Sequence, residues 1–329
     1  MSTVPTRDVV EKAVELAGHA PSLHNSQPWR WTFDGAKLRL FSVHERMLPA
    51  TDSTGRQLVI SCGIVLDHLR AAMAAQGWQT LVAAFPNPND HTHLADLRFT
   101  PSRYVTDGDR ERAAAITRRY TDRLPFDEPD DWDQFETVLR TVVEPADTIV
   151  DVLPDGSRAE LARASELSAS LRRYDSAYHA ELHWWTGHVV ADAGVPRQAL
   201  VTEDERERVD VGRRMPTVTG EARRPDVRAD RSKILVLSTF GDTAEDWLLC
   251  GQIVSTVLLE STLAGYATCP LTHLTELPRS RAVIARLIGR NAFPQVLIRV
   301  GSVPESQPRP EPTPRLPLGD ILRVTGDPA

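Results

Sequence analysis

A chain of 329 residues, 41% hydrophobic and 25% charged, is long enough for one large or two ordinary domains and can bury a core without metal or disulfide staples. Its net charge of −7 argues against a general nucleic-acid footprint, which needs a basic face to neutralise phosphates. The three cysteines, Cys62, Cys250 and Cys269, are odd in number, widely spaced and set in apolar runs. No disulfide framework follows, and reduced, buried thiols of a cytoplasmic protein are expected.

In chain order, residues 6–19 place Val9, Val10, Ala13, Val14 and Ala17 at helical spacing with acids near the start, predicting an amphipathic helix. No basic region followed by an apolar block precedes it, and no later stretch reaches the roughly 18 apolar residues of a bilayer span, so no membrane partner is expected. APSLHNSQPW, residues 20–29, is the helix exit, and RWTFDGAKLRLF alternates around Asp34-Gly35 as a two-residue hairpin. Residues 55–76 predict a long apolar helix with Gly77 as its C-cap, and residues 95–99 a strand. A loop at 100–110 leads to a helix ending in RRYTDRLPF and a second helix at 131–143. TIVDVL then reads as a strand, KILVLSTF as a buried strand, WLLCGQIVSTVLLESTLAG as a long apolar helix and PQVLIRVG as a strand.

The long helices also match each other. At a constant offset of 188 residues, Cys250, Gly251, Gly265 and Thr268 fall on Cys62, Gly63, Gly77 and Thr80 without a gap, and Tyr266 falls on Trp78. With the matched element order, this predicts two similar halves, residues 1–105 and 106–329. Lysine occurs only at Lys12, Lys37 and Lys233, so a phosphate site has to be built from arginine, whose guanidinium fork binds two oxygens at once.

The 20–29 loop is dense in amides and hydroxyls and closed by two prolines, which suits holding a flat heteroaromatic ligand by its polar edge. Proline, serine and asparagine are also what an ordinary tight turn selects. Pro21, Ser22, Leu23, Asn25, Gln27, Pro28 and Trp29 together resemble the PSxxNxQPW loop of nitroreductase-like flavoproteins, in which this turn meets the ring and ribityl parts of FMN. RRYTDR, residues 118–123, resembles the phosphate motif of the same superfamily, implying FMN contacts for Arg119, Tyr120, Thr121 and Arg123. TCPLTHL resembles its strand-end turn, implying backbone contacts near flavin N5 from Pro270, Thr272 and His273. In PTPRLPLGDIL, Arg315 matches the closing phosphate arginine, but Thr313 stands where the family has lysine, which weakens the clamp by one charge unless Arg223, Arg224 or another arginine substitutes.

The resemblance is closest to the two-domain, Acg-like subgroup of actinobacteria and runs along nearly the whole chain. It implies an α+β nitroreductase-like fold, a central mixed sheet flanked by long helices, and two halves that mimic the family homodimer in one pseudo-dimeric chain. The first half lacks a phosphate motif, and residues 144–149 keep only a proline of the flavin loop. Complementary losses imply one FMN per chain. Residues 174–230 have no counterpart in the first half, and in the subgroup such an insertion is thought to cover the flavin. Tyr174, Tyr178, Trp184 and Trp185 could form that lid or a helical excursion packed on the surface. His179, His183 and His188 with Glu181 form no HExxH pattern. GxGxxG, Walker and GxSxG motifs are absent. The expected function is an FMN-dependent oxidoreductase taking hydride from NAD(P)H to nitroaromatic or quinone-like small molecules. The rival is an FMN-sequestering or redox-sensing protein with a covered site.

Overall fold

The computed structural model describes residues 4–143, 148–187, 192–304, 307 and 310–325. Helix α1 (Arg7–Ala17) buries Val10, Ala13, Val14 and Ala17. The loop after it enters a hairpin of β1 (Trp29–Phe33) and β2 (Leu38–Ser42), whose turn uses Gly35 at φ 88°. Helix α2 (Arg56–Ala75) begins where the Asp52 carboxylate accepts from the Leu58 amide at 2.9 Å and ends before Gly77, at φ 81°. Strands β3 (Trp78–Ala84) and β4 (His93–Pro101) complete the first half.

Helices α3 (Asp107–Arg118) and α4 (Trp132–Val143) lead to β5 (Thr148–Leu153). Then come α5 (Arg158–Leu171), α6 (Ser176–Gly187), the single turn α7 (Glu203–Glu207) and β6 (Lys233–Thr239). Helix α8 (Ala244–Leu263) starts with a Thr243/Asp246 capping box. It is followed by β7 (Ala267–Leu271), α9 (His273–Glu276), α10 (Pro278–Ile288) and β8 (Phe293–Gly301). The chain closes with α11 (Leu318–Ile321) and β9 (Leu322–Val324).

The class is α+β. One sheet has the order β3-β4-β2-β1-β9 and is mixed, because β9 pairs parallel to β1, while the other, β5-β6-β8-β7, is wholly antiparallel. The paths β1-β2-α2-β3-β4 and β5-β6-α8-β7-β8 have the same strand neighbours. Where the first half makes a tight turn between β1 and β2, the second makes the long excursion from residue 154 to 232 between β5 and β6. The C-terminal β9 belongs to the first sheet, so the second half ends inside the first.

The matched sequence positions have matched roles. Cys62 and Cys250 are both buried, Gly77 and Gly265 both follow a long helix at φ 81° and 86°, and Thr80 and Thr268 both enter the next strand. Gly63 and Gly251 face each other where α2 crosses α8. A Cβ on Gly63 would lie 2.2 Å from the Leu248 carbonyl oxygen, and one on Gly251 2.1 Å from that of Ile60. No side chain fits there, so glycine at both sites sets how closely the helices approach. Leu66 and Val65 of α2, Val254 and Val257 of α8, Trp31 of β1 and Ile298 of β8 share one hydrophobic core, each contributing about 1.5–3 kcal/mol by leaving water. By length and composition α2 passes for a helix that could cross a membrane, but most of it is buried inside the protein.

Candidate functional site

The 20–29 loop is conformationally costly. His24, Asn25 and Gln27 have φ of 48°, 60° and 49°, a left-handed region that costs a non-glycine residue roughly 1–2 kcal/mol and that Asn tolerates best. Strain of this kind collects at functional sites and persists only where surroundings enforce it. Here Ser22 Oγ accepts from the Gln27 amide at 2.9 Å. Asn25 Nδ2 donates to the Gly194 and Pro314 carbonyls at 3.0 and 3.1 Å. Gln27 Nε2 donates to the Asp192 carbonyl at 2.8 Å, while its Oε1 accepts from the Leu316 amide at 2.9 Å. The loop amides therefore clasp the 154–232 excursion and the C-terminal segment. Gln27 lines neither of the two cavities beside the loop, and Asn25 has both amide protons in use.

Two adjoining cavities sit against this loop. The larger, about 370 Å³, lies between Pro21–His24, Gln57, Ile60, Ser61 and Ile64 of α2, the stretch Cys269–His273, and Val201–Met215 of the excursion. The smaller, about 50 Å³, is walled by Asn25, Arg119, Val195, Pro196, Ala199, Thr313 and Arg315. Pro21, Ser22, Thr121 and Arg123 line both. The backbone at 121–122 is fixed to the strand beside it, because the Asp122 amide donates to the Thr268 carbonyl at 2.9 Å.

Charge distinguishes the smaller cavity. Arg119 is buried, and its Nε and Nη1 have no partner. Burial, then the neighbouring Arg315, pulls it down to about 9. Burial also lowers Arg315, to about 10, and Arg123. Arg315 donates only to carbonyls, those of Gly18, His19, Thr313 and Pro314, and Arg123 to that of Ala199. Among the described residues none of the three forms an ion pair. Other enclosed arginines do: Arg213 with Glu276, Arg224 with Asp122 and Arg299 with Asp230. Arg56, which also lacks a carboxylate, is met by the Gln295 side chain and the Thr275 carbonyl. Three arginines on one niche, without an ion-pair partner among the described residues, fit a doubly charged phosphate. Arg223, paired with Glu205, and Arg224 are both occupied, so neither stands in for the lysine that Thr313 replaces.

The wall of the larger cavity carries its own unmet polar atoms: His24 Nε2, Gln57 Nε2 and His273 Nδ1 are buried without partners. Pro270 and Thr272 line it too, with Thr272 Oγ1 donating to Glu276 at 2.8 Å and accepting from Arg213 at 3.0 Å. The expected lid residues lie elsewhere. Tyr178 is buried among Leu182, Val195, Leu200 and Met215, Trp184 is exposed and Trp185 half-buried, and none lines either of the two cavities. Tyr120 also stands outside both. The part of the excursion over the cavity is Val201–Met215 instead, a polar stretch without the aromatic or periodic signal that would have singled it out. Residues 144–147 and His188 lie outside the described residues.

The strained loop, the arginine-walled niche and the larger cavity adjoin one another, and the chain's relatives show its family. "Putative NAD(P)H nitroreductase acg" of Mycobacterium tuberculosis is 52% identical over 323 residues, 98% of this chain and 97% of that protein. "Uncharacterized protein Rv3127" of the same organism is 49% identical, over 97% of this chain and 94% of that protein. The chain belongs to the Acg-like nitroreductase family. The FMN-dependent nitroreductase NfnB of Mycobacterium smegmatis, solved with NADPH, aligns at a TM-score of 0.43 and 16% identity, over 67% of this chain and 100% of that one. No family model matches.

Proposed function

We propose that the chain binds one FMN and acts as an NAD(P)H-dependent oxidoreductase on small nitroaromatic or quinone-like acceptors. The observation that carries this is the convergence of Arg119, Arg123 and Arg315, without carboxylates, on a niche that opens beside the larger cavity. The flavin, when bound, supplies hydride and electron transfer. The chain's own part is binding and orientation: the three guanidinium groups and the Thr121 hydroxyl hold the phosphate, and the 269–273 backbone borders the ring space. The loop amides of Asn25 and Gln27 keep the excursion and the C-terminal segment in place around it. The two halves take the places of two subunits, and among the described residues the arginine cluster stands on one side of the pair. A cytoplasmic setting suits three buried, free thiols.

The rival reading, a flavin-sequestering or redox-sensing protein, draws on one feature. The excursion over the cavity is tied down, because Arg213 binds Glu276, Thr272 and Tyr178 together. Anaerobic titration of the natively purified, yellow protein separates the two. Bleaching by NADPH or NADH within seconds is expected for the enzyme, whereas a flavin reduced only by dithionite supports the rival. A colourless protein that binds no added FMN overturns both, and two FMN per chain overturns the single-site assignment.

A further inference from the structure

Inside the larger cavity, neighbours fix the hydrogen-bonding state of His273. The Ser165 hydroxyl lies 3.0 Å from the Gly212 carbonyl oxygen and 2.9 Å from His273 Nε2. A carbonyl only accepts, so the single Ser165 proton goes to Gly212, and Ser165 accepts from a protonated His273 Nε2. Ser168 Oγ holds the same residue from its backbone, donating to the His273 carbonyl at 2.8 Å. Burial, with Arg213 nearby, holds the imidazole well below the usual histidine range, so it is neutral. A neutral ring protonated at Nε2 has a bare lone pair at Nδ1, and that atom is buried and unmet.

A donor stands on the adjoining element. Gln57 Nε2, on the first turn of α2, is also buried and unmet, and Arg56 beside it reaches the Thr275 carbonyl of α9, the helix that His273 begins. Oxidised isoalloxazine offers many acceptors but a single N–H, at N3, flanked by carbonyl oxygens. An acceptor with a donor nearby is the complement of that imide edge. The amides of Asn25 and Gln27, which the sequence would assign to it, are used elsewhere.

We propose that His273 Nδ1 accepts the ring imide N–H of the bound flavin while Gln57 Nε2 donates to an adjacent ring carbonyl; this rests on the larger cavity being the ring site. The test loads wild type, His273→Leu, His273→Asn and Ser165→Ala with FMN labelled with nitrogen-15 at N3, and measures affinity for FMN and for N3-methyl FMN by flavin fluorescence. Wild type is expected to show an exchange-protected N3–H resonance and to prefer FMN by roughly tenfold, the loss of about one hydrogen bond. His273→Leu loses both, and His273→Asn, with an acceptor oxygen near the Nδ1 position, recovers part. The same protected resonance in His273→Leu, or equal binding of the two flavins by wild type, overturns the assignment. Should His273→Leu fail to fold, Ser165→Ala decides, because freeing the tautomer has to shift the N3–H resonance and an unchanged one overturns the assignment. A wild type that binds neither flavin instead overturns the cofactor reading itself.

Discussion

Arg119 holds a buried charge that no described side chain neutralises, and such a group serves a ligand at the expense of the empty fold. Arg119→Met is therefore expected to stabilise the flavin-free protein by about 1–3 kcal/mol while weakening FMN binding by roughly ten- to a hundredfold, and with Arg315→Ala to abolish it. Urea melts with and without FMN check the opposite signs, and destabilisation of the flavin-free variant would contradict them. Thr121→Ala, losing one hydrogen bond to the phosphate, should weaken binding by about tenfold. Three buried histidines, His24, His68 and His273, are held neutral in the fold by desolvation and nearby arginines. The unfolded chain takes up protons near pH 6.5 that the folded one refuses. Stability is thus full above pH 6.5 and falls as pH drops below it, by up to about 1.4 kcal/mol per pH unit for each histidine, which melts between pH 7.5 and 5 can read. At this scale the grouping of Arg119, Arg123 and Arg315 on one niche was legible in the sequence, because a search for phosphate chemistry narrows the residue types. The targets of Asn25 and Gln27 were not, since spacing shows which amides share a loop but not that Asp192, Gly194, Pro314 and Leu316 fold back to meet them.

Among the elements, the crossing of α2 and α8 is the least forgiving. Gly63→Ala and Gly251→Ala each press a methyl into a carbonyl oxygen of the opposite helix, and each should destabilise by about 3 kcal/mol. Because both relieve themselves by parting the same helices, the double variant should cost clearly less than the sum; additive thermal shifts would show that the two clashes are independent. Both long helices were readable, as were the first hairpin, β4 to β6 and β8, and the offset of 188 residues picked out the two glycines that the fold sets opposite one another. Strand β3 was not: Leu81, Val82, Ala83 and Ala84 are exposed on a sheet edge, so they lack the alternation by which a half-buried strand is recognised. Nor was β9, whose three residues are strand only because β1 offers an edge.

The whole molecule is closed by its last described segment. Arg315 reaches Gly18 and His19, Leu316 reaches Gln27, and β9 joins the first sheet beside β1. Truncation after Pro317 keeps all three niche arginines but removes the strand that anchors the segment of one of them. FMN affinity should fall roughly tenfold or more through lost preorganisation, as flavin fluorescence titration would reveal. An unchanged affinity would mean that the carbonyl contacts of Arg315 suffice.

The separation of 297 residues between Arg315 and the Gly18 carbonyl also orders events during synthesis. A nascent chain has its strained loop within the first 30 residues and two of its arginines by residue 123, yet the niche stays open until residue 315 leaves the ribosome. On the proposed flavin reading, cofactor capture is a late step of biogenesis, and a ribosome-held chain that has not yet placed residue 315 should retain flavin poorly.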